Sequence, residues 1–403
     1  MSRLEELIQQ HCPDGVEYRK LGDLGTFENI GVDKKTIEGQ PLVSLLNYVD
    51  VYKNIHIDNN VPKMVVSATP KKIKDCTCEK GDIFLTPTSE TREDIGHASV
   101  ITETLVNTVY SYHIMRFRLT ETNNMITSFF IRYLFETELV QKQIYKLAKG
   151  LTRFGLSKYD FAKIEIPYPP IEVQEEIVRI LDNFAELQAE LQAELQKRLQ
   201  QYEYYRDKLL SFSDLSNWGG QEVSVEWKKL GDVASIKTGT KPDLIMTTQT
   251  DFEYINAGTT NSGYTNLANS DGDAITTPSR GQGGIGFVGY QRNPFWLGPL
   301  CYKIVSIENQ LLTKYLYYYL VCHNDVILKL KNTGGVPALN RQDLVGIKIP
   351  IPPIKIQQHI ISILDRFDTL TNDLSQGLPA EIEARRKQYE YYRDRLLTFK
   401  QKA

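Results

Sequence analysis

The sequence predicts an α+β fold in which two mixed α/β blocks are separated by two long helices that form an antiparallel coiled coil. Three observations predict it. The chain repeats one order of motifs twice, a helical apolar stripe follows a proline-rich junction in each copy, and the blocks between mix strand-like and helical runs. At 403 residues the chain exceeds one ordinary hydrophobic core, so two domains are expected.

The clearest repeat is QYEYYRDKLLSF at residues 201–212, which returns as QYEYYRDRLLTF at residues 388–399 with ten of twelve positions identical. Two further pairs of segments keep the same order: VEYRKLGDL with VEWKKLGDV (16–24 and 225–233), and IPYPPIEVQEEIVRILDNF with IPIPPIKIQQHIISILDRF (166–184 and 349–367). The chain is therefore an internal duplication, and we expect its two copies to be related by a pseudo-twofold axis.

Between these markers the two blocks differ in sequence, apart from two short echoes. GDIFLTPT (81–88) corresponds to GDAITTPS (272–279), and LSKYDFAKIEIP (156–167) corresponds to LNRQDLVGIKIP (339–350). The echoes indicate one fold that carries two different surfaces.

Within the first block, PLVSLL (41–46) and SYHIMRF (111–117) have the composition of strands, and SFFIRYLFETELVQKQIYKL (128–147) has the periodicity of a helix. KYLYYYLVCHNDVILKL (314–330) is the expected counterpart of that helix in the second block. Its aromatic side chains are expected in a core and not on a base-stacking surface.

Each junction is followed by a long helical pattern. Pro169 and Pro170 mark the first start, because proline is tolerated only in a first helical turn, and a helix from there to Phe212 would be roughly 60 Å long. Its apolar stripe is expected to pack against the other copy, the alternative being that each helix packs on its own block. Gly377 and Pro379 predict a kink or restart in the second helix. The residues expected in the coiled-coil contact are Ile180, Phe184, Leu187, Leu191, Leu195, Tyr202, Tyr205, Leu209, Ile363, Phe367, Leu370, Leu374, Tyr389, Tyr392 and Leu396.

The net charge of −3 hides an uneven distribution. Residues 166–224 carry 5 basic against 11 acidic residues, whereas the two blocks are nearly neutral. Nearly neutral blocks require locally basic faces to bind phosphate. Five scattered cysteines fit reduced thiols, and Cys76 and Cys78 lack a second pair at zinc spacing, so no metal site is expected. Because the chain shows neither a bilayer-length apolar run nor a secretion signal, we expect a cytoplasmic protein.

Two short motifs suggest an enzyme. GQGGIG (281–286) has the spacing of a dinucleotide or adenosyl-cofactor loop, but that loop must open a helix, and the strand-like FVGYQRNP follows it here. NPFW (293–296) resembles the tetrad of adenine aminomethyltransferases without its second proline. A flexible glycine loop and a turn before a buried aromatic residue explain these motifs better, so no catalytic residues are expected.

The order of motifs resembles the specificity subunit of a Type I restriction-modification system along the whole chain. The junctions, the ILDNF and ILDRF segments, both QYEYYRD copies and TGGVPALNRQDL (333–344) carry the resemblance, and GLPAEIEARRKQYEYYRDRLLTF (377–399) is its most specific part. The first block departs from the TGG wording and reads KGLTRFGLSKYD (149–160).

The resemblance implies a non-catalytic protein that binds double-stranded DNA. Residues 1–165 and 216–348 would be target recognition domains, each reading one half of an asymmetric bipartite site, and residues 166–215 and 349–403 would be the helices that set the spacer. These helices would also dock two modification subunits, which bind S-adenosylmethionine and methylate adenine N6, and restriction subunits could join them. This chain itself would hold no cofactor.

Candidate DNA contacts are basic and polar residues in turn-rich segments, because such side chains suit phosphates and base edges. In the first block they are Lys71, Lys72, Lys74, Thr88, Ser89, Arg92, Arg153, Ser157 and Lys158. In the second block they are Arg280, Gln282, Gly283, Arg292, Asn340 and Arg341. The alternative is that individual members are ordinary solvated surface residues.

Two other functions fit parts of the pattern. A coiled-coil adaptor would use the same helices to bind proteins and not DNA, and a self-contained methyltransferase would use GQGGIG and NPFW. DNA binding with a steep salt dependence distinguishes the first function from an adaptor, and binding of S-adenosylmethionine by the isolated chain would favour the enzyme.

Overall fold

The computed structural model describes residues 3–120, 125–212, 224–281, 283–307, 309–332, 335–373 and 375–402. The chain divides into two compact units. Unit 1 consists of Met1–Glu190 together with Glu383–Ala403, and unit 2 consists of Leu191–Ile382.

Helices and strands are named here in chain order. The helices are α1 (Arg3–His11), α2 (Leu21–Leu24), α3 (Tyr48–Lys53), α4 (Pro70–Asp75), α5 (Met125–Leu134), α6 (Glu138–Leu147), α7 (Lys158–Phe161), α8 (Ile171–Leu210), α9 (Leu230–Val233), α10 (Thr313–Cys322), α11 (Asn324–Lys329), α12 (Arg341–Val345), α13 (Ile354–Asn372) and α14 (Leu378–Leu396). The strands are β1 (Glu17–Lys20), β2 (Gly25–Glu28), β3 (Leu42–Leu46), β4 (His56–Ile57), β5 (Met64–Ser67), β6 (Ile83–Leu85), β7 (Thr88–Ser89), β8 (Ala98–Ile101), β9 (Thr108–Tyr110), β10 (Met115–Leu119), β11 (Phe154–Gly155), β12 (Glu165–Tyr168), β13 (Glu226–Lys229), β14 (Ala234–Thr238), β15 (Phe252–Ile255), β16 (Tyr264–Thr265), β17 (Ala274–Pro278), β18 (Gly289–Gln291), β19 (Trp296–Leu297), β20 (Cys301–Ser306) and β21 (Lys348–Ile351).

Unit 1 is built on a five-stranded sheet in the order β2-β10-β6-β8-β4 and a three-stranded sheet in the order β5-β3-β9. Apolar side chains of the larger sheet, among them Val100 and Phe117, are fully buried with Phe130 and Leu134 of α5 and Ile144 of α6. The predicted strand at 41–46 is confirmed by β3. The predicted strand at 111–117 is shorter, because residues 111–114 form a turn before β10 begins. In this turn the Ile114 amide donates a hydrogen bond to the Ser111 carbonyl at 3.2 Å.

The single helix predicted at 128–147 is two helices. Helix α5 ends at Leu134, and the Thr137 hydroxyl accepts a hydrogen bond from the Val140 amide, which caps the start of α6. A threonine in extended conformation is a preferred helix N-cap, so it ends one helix and begins the next.

Unit 2 has a four-stranded sheet in the order β14-β20-β17-β18 and a three-stranded sheet in the order β16-β15-β19. Ile275 and Ile304 of the larger sheet are fully buried together with Tyr315 and Tyr318 of α10. The prediction that the aromatic residues of 314–330 form a core is therefore confirmed for these tyrosines.

Two of the sequence repeats pair with each other in both units. The VE segment forms β1 and the junction forms β12, which pair antiparallel with Glu17 opposite Tyr168. In unit 2, β13 and β21 pair in the same way with Glu226 opposite Ile351. The chain therefore enters and leaves each block side by side, immediately before a long helix.

The two helical segments pair within each unit. In unit 1 the Phe184 ring lies 5.6 Å from the Tyr392 ring and 6.4 Å from the Tyr389 ring. In unit 2 the Phe367 ring lies 6.0 Å from Tyr202 and 5.9 Å from the ring of Tyr205. The start of α8 is thus paired with the end of α14, and the end of α8 is paired with α13. This reversed order of partners is that of an antiparallel coiled coil, as predicted.

The predicted stripe is not uniformly covered. Most of its described members are partly or fully buried: Ile180, Phe184, Leu187, Leu191, Leu195, Tyr202, Leu209, Ile363, Phe367, Tyr389 and Leu396. Tyr205, Leu370 and Tyr392 keep 39, 37 and 37% of their surface exposed, and Leu374 lies outside the described residues. The alternative of packing on the adjacent block also holds for the first turns of α8, since Ile177 and Leu181 are fully buried in the unit 1 core.

The repeated ILDxF segment has a structural explanation. The Tyr133 hydroxyl of α5 donates a hydrogen bond to the Asp182 carboxylate (2.5 Å) in α8, and the Tyr318 hydroxyl of α10 donates to the Asp365 carboxylate in α13. The aspartate of each copy therefore anchors the long helix to the aromatic helix of its own block. We call each of these bonds a tyrosine–aspartate anchor.

The second helical segment is interrupted where glycine and proline predicted it. Helix α13 ends at Asn372, and α14 begins at Leu378. A Cβ atom at Gly377 would lie 2.4 Å from the Thr369 carbonyl oxygen, so the chain can approach this closely only with glycine. Among the helices of the described residues, none combines the length and apolarity needed to cross a bilayer.

Candidate nucleic-acid interface

The structure brings the two sequence echoes of each block together. In unit 1, β7 at the end of GDIFLTPT pairs antiparallel with β11 in the loop before the junction, with Thr88 opposite Gly155 and Ser89 opposite Phe154. The Leu156 amide also donates to the Pro87 carbonyl at 2.9 Å. We call this pairing the unit 1 loop pair.

Unit 2 repeats the arrangement with different side chains. Arg280, at the end of GDAITTPS, forms a bridge with Ala338, and the Leu339 amide donates to the Ser279 carbonyl at 2.9 Å. We call this pairing the unit 2 loop pair. In both units the loop before the junction also closes on itself, through Lys149 with Gly155 and through Asn332 with Ala338.

The unit 1 loop pair gathers several predicted residues. An Arg153 guanidinium nitrogen donates to the Thr88 hydroxyl at 3.4 Å, and Ser89 is buried in β7. The Arg92 guanidinium lies over the Phe154 ring, 5.0 Å from its centroid, and over the Tyr145 ring at 5.4 Å. Stacking on aromatic faces fixes the position of an arginine while leaving its charge available to an anion.

Ser157 and Lys158 follow the unit 1 loop pair directly. The Ser157 hydroxyl caps α7 and donates to the Asp160 carboxylate at 2.6 Å, while Lys158 is exposed. Burial opposes ionisation of Asp160, yet its bonds to Ser157 and the charges of Lys149 and Lys163 leave its pKa below the ordinary value. Both residues are exposed, but the Ser157 hydroxyl is engaged in holding the start of α7, whereas the Lys158 ammonium group lies 5.3 Å from the Tyr159 ring centroid.

The three predicted lysines lie on a different element, α4. Lys71 and Lys74 are exposed, but the Lys72 ammonium group donates to the backbone carbonyls of Ile30 and Gly31, the latter at 3.1 Å. Lys71 and Lys74 are therefore available to bind an anion, whereas Lys72 holds the loop that contains Ile30 and Gly31.

In unit 2, Arg280 and Arg341 are both exposed on the loop pair. Burial raises the pKa of the Tyr302 hydroxyl, and this is opposed by the Arg341 backbone and by the charges of both arginines, so all three groups lie close together. The Tyr302 hydroxyl donates to the Leu339 carbonyl at 3.0 Å and thereby supports the loop that carries Arg341.

The remaining unit 2 candidates differ in environment. Asn340 is the residue that precedes α12, and its side-chain amide donates a hydrogen bond to the Asp343 carboxylate at 3.1 Å. Arg292 lies 3.9 Å from the Asp368 carboxylate of α13, so it bridges its block to the helix. Gly283 has open space where a side chain would be, and Gln282 lies outside the described residues.

Glycines line the unit 2 loop pair. Gly281 has a φ of +119°, and a Cβ atom at Gly281 or Gly335 would meet nothing within 4 Å. Because these positions are open, a ligand can approach the backbone closely there. The described residues of GQGGIG lead into β18 and not into a helix, whereas a dinucleotide loop opens a helix.

Sequence reasoning missed a second loop beside this one. A Cβ atom at Gly284 would lie 3.0 Å from the Gly258 nitrogen, so the loop at 257–263 adjoins the glycine loop. Thr260 and Asn261 of that loop line a cavity of about 300 Å³ together with Tyr290. The turn-rich composition of AGTTNSG (257–263) was the available signal, but it does not specify which loop it would lie against.

Each loop pair is a hydrogen-bonded backbone frame that presents exposed cations and polar groups. The frame is repeated, whereas its side chains are repeated only in part. Lys158 and Arg341 are matched cations, but Arg280 stands where unit 1 has Thr88, and Val336 stands where unit 1 has Arg153. Such a surface can bind phosphate through cations and can distinguish bases through arginine and amide groups.

Comparisons with known proteins identify the family of the chain. The profile of the Type I restriction modification DNA specificity domain matches residues 13–201 and again 222–384. The chain is 37% identical over 274 residues to the Type I restriction enzyme EcoR124I/EcoR124II specificity subunit of Escherichia coli, an alignment that covers 61% of this chain and 66% of that protein. It is 32% identical over 247 residues to a putative type I specificity subunit of Mycoplasma pneumoniae, covering 60% of this chain and 98% of the relative.

A solved structure shares the fold. The S subunit of a Type I restriction-modification system from M. genitalium superposes with a TM-score of 0.62 at 17% sequence identity, and the superposition covers 95% of this chain and 96% of that one. At this identity the likeness concerns the fold alone.

Proposed function

The chain belongs to the Type I restriction modification DNA specificity domain family, and on that premise we propose that it selects the DNA sequence on which a restriction-modification complex acts. Each block reads one half of an asymmetric bipartite site through its loop pair. The paired helices fix the distance between the half-sites and dock two modification subunits.

The observation that carries this proposal is the repeated frame with different exposed side chains. Two identical readers would recognise a symmetric site, because the same donors and acceptors would face both halves. Here the frame hydrogen bonds are kept, while Arg280 stands in the frame where unit 1 has Thr88, and Val336 stands where unit 1 has Arg153. The two half-sites should therefore differ in sequence.

The chain is proposed to contribute no chemistry of its own. S-adenosylmethionine and the methyl transfer to adenine belong to the modification subunits in this proposal, and restriction subunits would join the same complex. Cys76, Cys78 and Cys301 are buried, and burial raises the pKa of each thiol, so these cysteines are poorly suited to act as nucleophiles.

The test is coexpression of the chain with the modification subunit of its own restriction-modification system, followed by mapping of methylated adenine across the host genome. We expect a split motif with an unspecified centre. Replacing residues 16–165 with the corresponding block of a relative should change one half of the motif and leave the other half unchanged. A continuous motif, or a change in both halves, would contradict the proposal.

Single substitutions assign each loop pair to its half-site. Arg280→Ala or Arg341→Ala should weaken cognate binding by about 1–3 kcal/mol and relax one half of the motif. Arg153→Ala should act on the other half. Leu151→Ala, at an exposed apolar residue of the same unit 1 loop, is the control and should leave the motif unchanged.

A further inference from the structure

A tyrosine hydroxyl is bonded to each loop pair. In unit 1 the Tyr48 hydroxyl donates a hydrogen bond to the Thr88 backbone carbonyl at 3.1 Å, and Thr88 lies in β7 of the unit 1 loop pair. In unit 2 the Tyr302 hydroxyl donates to the Leu339 carbonyl at 3.0 Å, and the Leu339 amide closes the unit 2 loop pair on Ser279. Each loop pair is therefore attached to its block by a tyrosine side chain as well as by backbone hydrogen bonds.

The two tyrosines come from elements that are not equivalent. Tyr48 follows Asn47, the residue directly after β3, which is the middle strand of its three-stranded sheet. In unit 2 the middle strand β15 is also followed by an asparagine, Asn256, but the next residue is Ala257. Tyr302 belongs to β20, and the strand in the same place of unit 1, β10, reads MRFRL. The duplication therefore does not explain this contact, and each unit makes it with a residue of its own.

Secondary structure outside the loop pairs fixes the position of both tyrosines. The Asn47 side chain accepts a hydrogen bond from the Val49 amide, and the Asp50 carboxylate accepts one from the Asn47 amide, so a capping box sets the turn of α3 that carries Tyr48. The Tyr302 side chain is buried, and its strand pairs with β17. Each hydroxyl is thus a fixed donor to a loop carbonyl.

In unit 1 this contact leads to a predicted DNA contact. An Arg153 guanidinium nitrogen donates to the Thr88 hydroxyl at 3.4 Å, so Tyr48 holds the backbone of the residue whose side chain Arg153 contacts. Burial raises the pKa of the Tyr48 hydroxyl, and the charge of Arg153 opposes that rise, which places the two groups near each other. Removing the Tyr48 hydroxyl would release the backbone beneath Arg153.

In unit 2 the contact lies just before a predicted cation. Leu339 is two residues before Arg341, which is the first residue of α12. The Leu339 amide is bonded to the Ser279 carbonyl, and its carbonyl accepts from Tyr302. Removing the Tyr302 hydroxyl would free the chain at the point where it enters α12 and orients Arg341.

From these contacts we infer that Tyr48 and Tyr302 are positioning residues, each of which holds the loop pair of its own unit in the geometry that reads one half-site. The inference rests on the proposed function and goes beyond it, because the two tyrosines act without touching DNA. Hydrogen bonds to base edges are directional, and a shift of about 0.5 Å weakens recognition. A loop that is held less firmly accepts a wrong base more readily, so discrimination should fall in one half-site only.

The test uses tyrosine-to-phenylalanine variants of the full chain, coexpressed with the modification subunit, and mapping of methylated adenine across the genome. Phenylalanine keeps the ring and removes only the hydroxyl. Tyr48→Phe should raise methylation at sites with one wrong base in the half-site of unit 1 by about three- to tenfold, and Tyr302→Phe should do so for the half-site of unit 2. The exchange of residues 16–165 identifies which half belongs to unit 1.

Matched controls remove the same kind of bond elsewhere in each unit. The Tyr18 hydroxyl donates to the Phe399 carbonyl at 3.0 Å in unit 1, and the Tyr315 hydroxyl donates to the Pro350 carbonyl at 3.1 Å in unit 2. Tyr18→Phe and Tyr315→Phe should leave both halves of the motif unchanged, because neither bond involves a loop pair. Thermal unfolding of all four variants shows whether they lose similar stability.

Double variants separate positioning from direct contact with DNA. If Tyr48 acts through Thr88 and Arg153, adding Tyr48→Phe to Arg153→Ala should relax the half-site of unit 1 little further, since coupled residues are not additive. Tyr302→Phe added to Arg341→Ala should behave in the same way in unit 2. A full additional loss of discrimination would show that the hydroxyls contact DNA themselves and would overturn the positioning role.

The remaining outcomes distinguish the inference from the proposed function. If the unchanged chain gives a bipartite motif and both variants match their controls, the inference is wrong and the proposed function stands. If either variant relaxes both halves, its hydroxyl acts on the whole protein and not on its own loop pair, and the inference is also wrong. If the unchanged chain gives no bipartite motif, the proposed function fails and the inference fails with it.

Discussion

Units 1 and 2 anchor their long helices alike at one end and differently at the other. Both use a tyrosine–aspartate anchor and a phenylalanine that contacts two tyrosines and stacks on one of them. Only in unit 1, among the described residues, is the QYEYYRD tyrosine bonded to a carboxylate of its block: the Tyr389 hydroxyl donates to Glu136 at 2.7 Å. The equivalent Tyr202 packs against Phe367 in unit 2.

Glu136 is the centre of an ionic cluster. It accepts from Arg132, whose side chain is 5% exposed, and lies 3.5 Å from an Arg393 guanidinium nitrogen. Arg132 also donates to the Ala98 carbonyl at 3.3 Å. The repeated residues thus attach each long helix to its block in the same way. In unit 1 the block adds polar contacts of its own through Glu136.

The largest effect is expected for Glu136→Ala. It would leave the buried Arg132 guanidinium without its carboxylate, so unit 1 should lose about 2–4 kcal/mol of stability while unit 2 is unaffected. The tryptophans at 218, 227 and 296 all fall within unit 2, so tryptophan fluorescence reports that unit during urea unfolding. Hydrogen exchange in peptides from 128–147 and 383–396 reports unit 1.

A matched control lies two residues further on. Glu138 forms an exposed pair with Lys142, with side-chain exposures of 75 and 70%, so Glu138→Ala should change stability by less than about 0.5 kcal/mol. Equal effects of the two substitutions would show that the Glu136 cluster adds nothing to unit 1.

The two tyrosine–aspartate anchors are expected to differ in how much they stabilise their units. Tyr133→Phe removes a hydrogen bond to a carboxylate and should cost about 1.5–3 kcal/mol. Tyr318→Phe should cost less, because Asp365 keeps an ion pair with Lys314 at 2.8 Å. The same hydrogen exchange and fluorescence measurements compare the two variants, and a larger loss for Tyr318→Phe would contradict the prediction.

Acid should affect the Glu136 cluster as well. Burial opposes ionisation of Glu136, but Arg132, Tyr389 and Arg393 outweigh burial and hold its pKa below the ordinary value. A carboxylate with a lowered folded-state pKa contributes stability that is complete above the unfolded value, about 4.3, and is lost as pH falls below it. Hydrogen exchange of unit 1 between pH 6 and pH 3 should therefore depend less on pH in Glu136→Gln than in the unchanged protein.

The smallest effect concerns DNA binding through α4. Lys71→Ala should reduce the slope of log affinity against log salt by about 1 if Lys71 contacts a phosphate. Lys72→Ala should leave that slope nearly unchanged, because its ammonium group is held by the Ile30 and Gly31 carbonyls. Fluorescence anisotropy at four or five salt concentrations distinguishes the two, and equal slopes for both variants would contradict the assignment.

Four features could be predicted from the sequence: the duplication, the paired helices, the break near Gly377 and the aromatic core of α10. Each of these follows from a local pattern: a repeated word, a spacing of three or four residues, or a residue that cannot continue a helix. Such patterns can be interpreted without knowledge of tertiary contacts, because they depend only on the geometry of the local backbone.

The contacts between residues far apart in sequence could not be predicted and are seen in the folded structure. It paired the two echoes of each block, tied Lys72 to a loop 41 residues away and placed Tyr389 against Glu136 across 253 residues of sequence. It also showed that Tyr204 and Tyr391 face solvent while their neighbours pack. The physical reason is that a side chain's partner depends on how separate elements pack, and one sequence does not specify that packing residue by residue.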